Sequence, residues 1–183
     1  MKRMIVAVLL CFCVTACAHM NITPISETAK KLDRAGKVVV VTAADGRYGA
    51  KVYSGTGDEF TSLVMVEFAK FAEGYEILPR MELPNALSVA KEKGAMYVVV
   101  PEMLHYEDRN TPWSGRLDQI TVKISVFLVE DGSMVQSSMI TANNQVATFV
   151  DNRPMVLIYK PLPELVKNFY QKIALLGSTP KII

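Results

Sequence analysis

Apolar runs and apolar–polar alternation along the chain predict its strands. Residues 37–43 contain four consecutive valines and are bounded by Gly36 and by Asp45-Gly46, which predicts a strand buried on both faces. Residues 118–129 alternate instead, as expected for a strand with one buried face. The apolar members of that alternation are Ile120, Val122, Ile124, Val126 and Leu128.

Helical spacing of apolar residues predicts about three helices. They cover residues 58–73, 84–93 and 163–176; the first is followed by Gly74 and the second by Gly94, a residue favoured just after helix ends. Short strands follow the first two helices, at 75–78 and 95–101. A strand-helix-strand unit of this kind places its strands parallel in one sheet.

The second half of the chain predicts an antiparallel hairpin. Glu130-Asp131-Gly132-Ser133 is a strong turn signal, and it returns the chain through residues 134–142. We therefore predict an α/β fold with a mixed sheet of about five strands, parallel in its first half and antiparallel in its second. About three helices pack on this sheet. The single domain covers residues 37–177, and residues 178–183 form a tail.

The N-terminus has the pattern of a bacterial secretory signal. Lys2 and Arg3 precede an apolar stretch over residues 4–14, and small residues lead to Cys17. Val14-Thr15-Ala16-Cys17 resembles the lipobox of bacterial lipoproteins, which implies cleavage after residue 16 and acylation of Cys17. The alternative is a plain signal that leaves Cys17 as a free thiol.

The residue after Cys17 indicates in which membrane a lipoprotein of this kind is anchored. Lipoproteins retained in the inner membrane commonly carry aspartate there, and this chain has Ala18. The resemblance therefore implies a lipid-anchored protein at the periplasmic face of the outer membrane. Residues 17–36 are polar and predict a tether, apart from a short helix over residues 26–34.

Composition and charge exclude several function classes. The chain is 50% hydrophobic and 21% charged, which is typical of a folded domain and not of a disordered one. Lys2 and Arg3 account for the difference between 20 basic and 18 acidic side chains, so the remainder lacks the basic excess of a nucleic-acid binder. With two histidines, the common zinc and catalytic constellations cannot be built, and we predict no metal or other cofactor.

The order of elements resembles a small envelope domain of bacterial lipoproteins. Relatives include the TolB N-terminal type, the curli secretion lipoprotein and the lipoprotein activator of penicillin-binding proteins, with Ala86-Leu87 to Val100 as the matching string. A closer resemblance is to an uncharacterised domain-of-unknown-function family of bacterial lipoproteins. The strings that carry it are residues 44–49, 104–109, 113–116 and 147–149. Relatives of the wider fold act through protein contacts, which implies an envelope protein partner.

The glycine-rich stretch over residues 44–57 is one candidate site. It falls between a strand and a helix, where backbone amides can bind phosphate, and Arg47, Lys51 and the Thr56-Gly57 amides are the candidate groups. However, it matches neither the dinucleotide-binding nor the P-loop pattern. The alternative is a long loop with tight turns that displays Tyr48 and Tyr53.

Residues 102–116 are the other candidate. His105 and Glu107 point to one side of a continued strand, and Tyr106 and Asp108 point to the other. An enzyme site, a metal site or an internal network pairing the carboxylates with Arg109 and Arg116 are the alternatives. Catalysis is disfavoured because adjacent carboxylates on a strand diverge.

We interpret the protein as a non-catalytic binding or assembly module, anchored to the membrane through its N-terminal lipid. A small-ligand or glycan binder using the glycine-rich loop and an enzyme using residues 102–116 remain the alternatives. Aromatic and arginine side chains are enriched at binding hot spots. The predicted interaction surface contains Tyr48, Tyr106, Arg109, Trp113 and Arg116.

Overall fold

A computed structural model describes residues 19–27, 31–108, 117–144 and 153–171. Three helices occur in these residues, together with eight strands and a 3₁₀ helix at Pro154–Ile158. The helices are α1 (Thr56–Ala69), α2 (Leu83–Glu92) and α3 (Pro161–Tyr170). The strands are β1 (His19–Glu27), β2 (Lys37–Val41), β3 (Gly46–Tyr48), β4 (Lys51–Tyr53), β5 (Gly74–Leu78), β6 (Tyr97–Glu107), β7 (Gln119–Leu128) and β8 (Met134–Asn143).

Six of the strands form one mixed sheet in the order β1-β8-β7-β6-β2-β5. β2 runs parallel to β5 and β6, whereas the β6–β7, β7–β8 and β1–β8 pairs are antiparallel. The predicted mixed α/β class, with its parallel first half and antiparallel hairpin, is confirmed. The sheet has six strands rather than about five, and β3 and β4 form a separate two-stranded sheet.

The valine run of β2 lies between two cores, as its continuous apolar pattern predicts. Val38 and Val40 face the larger core, and Val39 and Val41 face the smaller one. The larger core is filled from α1 and α3, with Phe60 and Phe169 both almost fully buried. The smaller core is closed by α2 alone among the three helices, through small alanine side chains.

The tether predicted for residues 17–36 is wrong for residues 19–27, which form β1 at the edge of the sheet. Met20 and Ile22 pair with Ala142 and Ile140 of β8 and pack against the larger core. Two apolar side chains are enough to pack β1 against the core, because only alternate residues of an edge strand face the core. Residues 31–34 are coil and turn rather than part of the short helix expected there.

Several predictions concern residues beyond the described part of the chain. They include the signal over residues 1–16, Cys17, the domain end at residue 177 and the tail over residues 178–183. Among the described residues, no helix combines the length and the apolar character that crossing a membrane requires.

Candidate interaction surface

The glycine-rich stretch, expected to be a long loop, forms the β3–β4 hairpin and packs against the end of β6. β2 pairs with β6 only over residues 97–99 of β6, and β3 contacts the later part of that strand. Gly49, with φ of +57°, occupies the first position of the two-residue turn, where a type II′ hairpin requires a positive φ. Gly46 allows a close approach, because a Cβ there would lie 2.5 Å from the Tyr106 Cβ.

Aromatic contacts fix the hairpin on β6. The Tyr48 and His105 rings meet edge to face with centroids 5.5 Å apart, and the Tyr53 and Tyr106 rings lie 4.8 Å apart. Lys51 Nζ lies 4.4 Å from the centroid of the Tyr53 ring, within the range of a cation–π contact. The hairpin therefore carries its side chains on a rigid support.

His105 and Glu107 lie on the same side of β6, as the alternation predicts. His105 Nε2 and Glu107 Oε2 are 3.1 Å apart, and the Glu107 side chain is buried while that of His105 is about one-third exposed. A metal site would need further ligands, and the described residues contain no group of three or more histidine, cysteine or carboxylate side chains placed to bind an ion. The His105–Glu107 pair therefore tightens the end of the strand.

Tyr106 does not belong to a surface, which corrects the prediction that included it. Its side chain is 1% exposed and faces the larger core. Burial, with smaller contributions from the nearby charges of Asp108 and Glu59, raises the pKa of Tyr106 to about 12. The physical reason for the correction is the shift in the β6–β7 pairing between Met103 and His105, which directs Tyr106 to the same core as Val99.

The candidate anion site at the start of α1 is used internally. The Gly57 N–H donates to Asp45 Oδ1 at 2.9 Å, so a carboxylate of the chain itself already caps this helix end. The Thr56 hydroxyl accepts from the Gly46 N–H and donates to the Tyr53 carbonyl. These bonds connect β3, β4 and α1 to each other rather than presenting amides to a ligand.

The exposed side chains of this region include apolar and aromatic ones beside the charged Arg47 and Lys51. Tyr48 is 41% exposed, and Val52 and Leu104 are exposed to a similar or greater extent. The exposure of Val52 was not predicted, because it can be inferred only once residues 46–53 are known to form a hairpin. Leu104 is exposed at an irregularity of β6, where the pairing shifts between Met103 and His105, and nothing in the alternation of the sequence signals that shift.

Three members of the predicted surface lie outside the described residues. They are Arg109, Trp113 and Arg116, and the predicted network linking the two arginines to Glu107 and Asp108 lies outside them as well. Tyr48 is thus the member that the structure places at the surface. We use the term hairpin surface below for Tyr48 and Leu104; Val52 is exposed on the other face of the hairpin, because it pairs with Arg47 whereas Tyr48 pairs with Lys51.

Comparisons with known proteins agree on the architecture. The family model for a domain of unknown function, DUF4823, matches residues 30–169. PelC from Paraburkholderia phytofirmans, solved as a dodecamer, has a TM-score of 0.62 and 16% identity over 84% of this chain and 98% of its own. No curated protein of similar sequence was found.

Two further solved structures have lower scores. The hypothetical protein CT253 from Chlamydia trachomatis has a TM-score of 0.50 and 13% identity over 73% of this chain and 94% of its own. The lipoprotein GNA1162 from Neisseria meningitidis has a TM-score of 0.47 and 12% identity over 73% of this chain and 96% of its own. At these identities the likenesses to PelC and CT253 establish a shared fold.

Proposed function

The chain belongs to the DUF4823 family, and from that premise we propose that it is a non-catalytic module of the bacterial envelope that binds a protein partner through the hairpin surface. A lipid on Cys17 holds it at the periplasmic face of the outer membrane. The fold that it shares with PelC and the lipobox-like residues before Cys17 are compatible with this role. The predicted resemblance to an uncharacterised domain-of-unknown-function family is confirmed by the match over residues 30–169.

One observation carries the proposal: the hairpin surface is apolar, exposed and rigidly supported. Tyr48 is held by the ring of His105, and the hairpin beneath it is connected to α1 through Thr56. Tyrosine at a preorganised position supplies contact area with little loss of side-chain entropy. An aromatic side chain held in place by its neighbours is typical of a binding hot spot.

The two alternative functions find less support in the described residues. An anion or glycan binder would use the Gly57 amide, which Asp45 already occupies. An enzyme would need His105 and Glu107 to face a substrate, but the Glu107 side chain is 7% exposed and directed to His105. The Gly57–Asp45 and the His105–Glu107 contacts are therefore contacts within the fold.

Crosslinking from the hairpin surface tests the proposal. A photoreactive amino acid at position 48 or 104 of the full-length protein should give a discrete adduct with another envelope protein in intact cells. Position 62, where Ser62 is exposed on the outer side of α1, serves as the control and should give none.

A second variant separates specific from incidental capture. Leu104→Glu changes an exposed side chain of the hairpin surface, so it should leave folding intact while reducing the adduct from position 48. Equal adducts from positions 48 and 62, or an adduct from position 48 that is unaffected by Leu104→Glu, would show that the hairpin surface is not the binding surface.

A further inference from the structure

β5 forms an open edge of the main sheet. It is the last strand in the order and pairs with β2 alone among the described strands. The Leu78 carbonyl accepts from the Thr42 N–H at 3.0 Å, on the β2 side. Because backbone groups of successive residues point to opposite sides of a strand, the N–H and C=O groups of Tyr75 and Ile77 point to the open side.

The side chains of β5 are unusual for a sheet edge. Tyr75 is 53% exposed and Ile77 is 38% exposed, and both lie on the same face because their positions alternate. Natural sheets protect open edges with proline, bulges or charges. The opposite edge, β1, has such protection, since its pairing shifts between Pro24 and Ser26. On β5 the apolar residues are left at the edge.

The charge on β5 is compensated within the chain. Glu76 points to the face opposite Tyr75, where Oε2 lies 3.3 Å from Lys37 Nζ and Oε1 lies 2.5 Å from Lys93 Nζ. Two ammonium groups thus surround one carboxylate. A second Glu76 brought close to the first would meet a region of net positive charge rather than an isolated negative charge.

We propose that β5 is a dimer interface at which a second copy of this chain pairs antiparallel with the first, about a two-fold axis between the two Glu76 residues. In that register Tyr75 of each copy lies opposite Ile77 of the other. Their outward backbone groups form four hydrogen bonds across the axis, because directly opposite residues with outward groups exchange two bonds per pair. The two sheets become one continuous sheet.

Self-complementarity is the reason to assign a second copy rather than another extended segment. The two-fold axis creates two identical aromatic and β-branched cross-strand pairs on one face, the kind of pair that stabilises sheets. On the other face it places two carboxylates among the four lysines contributed by Lys37 and Lys93. An isologous contact of this kind closes at the dimer.

The oligomeric mass of the full-length protein in detergent tests this interface. Light scattering with detergent correction should give a dimer for the parent protein and a monomer for Ile77→Lys, which places a charge opposite Tyr75. Ile25→Lys is the matched control, because Ile25 is 52% exposed on the opposite sheet edge, and it should remain dimeric. A monomeric parent, or a dimer lost with Ile25→Lys but kept with Ile77→Lys, would overturn the proposal.

A disulfide locates the axis independently. Residues opposite each other without backbone bonds have Cα atoms about 4.5 Å apart, within the range that a disulfide spans. Glu76→Cys should therefore give a covalent dimer under mild oxidation in membranes, whereas Glu92→Cys, an exposed position on α2, should not. Crosslinking by Glu92→Cys at the same rate, or none by Glu76→Cys, would contradict the two-fold register.

Discussion

Neighbouring residues at the end of β6 have different roles, because the pleat of the strand directs their side chains to opposite faces. Tyr106 fills the larger core beside Gly46, whereas His105 supports the exposed ring of Tyr48 on the other face. A substitution of Tyr106 therefore affects mainly stability, whereas a substitution of His105 affects the hairpin surface. That separation makes residue-level tests informative.

Tyr106 predicts a loss of stability in alkali. Its pKa is about 12 in the folded protein against 10.0 for an unperturbed tyrosine, so the unfolded chain releases the phenolic proton first. The free energy of unfolding should therefore be highest below pH 10 and fall as the pH rises towards 12. Tyr106→Phe should show a shallower fall in denaturant titrations across this range.

The same variant should lose about 1 kcal/mol at neutral pH, because the Tyr106 hydroxyl has a hydrogen bond with the backbone of Met155. Tyr159→Phe is the control, since Tyr159 is 45% exposed. Burial also raises the pKa of Tyr170, so part of the alkaline fall should persist in Tyr106→Phe. Identical pH profiles for Tyr106→Phe and the parent would refute the assignment.

At the scale of elements, the link between the β3–β4 hairpin and α1 depends on a few polar groups. Asp45 caps the start of α1 through Gly57, and the Thr61 hydroxyl donates to the Gly57 carbonyl one turn further on. A Cβ on Gly57 would lie 2.5 Å from the Ala43 carbonyl oxygen. The helix start is thus held tightly against the chain that follows β2.

Asp45→Ala tests this link. Removing the carboxylate leaves the Gly57 N–H without its acceptor, and loss of a helix cap typically lowers the free energy of unfolding by about 1 kcal/mol. Asp58→Ala, at an exposed position in the same first turn, should have a smaller effect. Chemical denaturation of both variants measures the difference, and equal effects would mean that Asp45 acts only through its charge.

The elements that the sequence predicts well are those whose pattern is set by the core. The valine run of β2 and the alternation of β7 match their burial almost residue by residue. β1 was not predicted because its pairing depends on β8, more than one hundred residues away in the chain. A local sequence pattern contains no information about such a distant contact. The β3–β4 hairpin was missed because three-residue strands are too short to show alternation.

The candidate site was predictable to a smaller extent. The placement of His105 and Glu107 on one side followed from strand periodicity, and their contact confirms it. The burial of Tyr106 did not follow, because periodicity tells which residues share a face but not which face meets the core. The shift in pairing between Met103 and His105, which decides the question for Tyr106, has no signal in the sequence.

At the scale of the whole molecule, the proposed attachment to the membrane depends on one side chain outside the described residues, that of Cys17. Cys17→Ser removes the thiol that would accept the lipid, so the variant should no longer incorporate labelled palmitate and should accumulate as the uncleaved or the released form. Cys11→Ser, within the predicted signal, is the control and should remain labelled. Normal labelling and membrane fractionation of Cys17→Ser would contradict the lipoprotein interpretation.

The start of β1 at His19 limits the distance between the folded domain and a membrane to which Cys17 is anchored. One residue, Ala18, lies between Cys17 and His19 in the sequence, so a lipid at Cys17 allows a reach of at most about 7 Å to β1, whereas a free tether over residues 17–36 would allow about 65 Å. The far edge, β5, lies five strand spacings from β1, or about 24 Å. The lipid would then hold the domain close to the bilayer instead of allowing it to extend away from it. Any partner would have to come within a few nanometres of the bilayer to be bound.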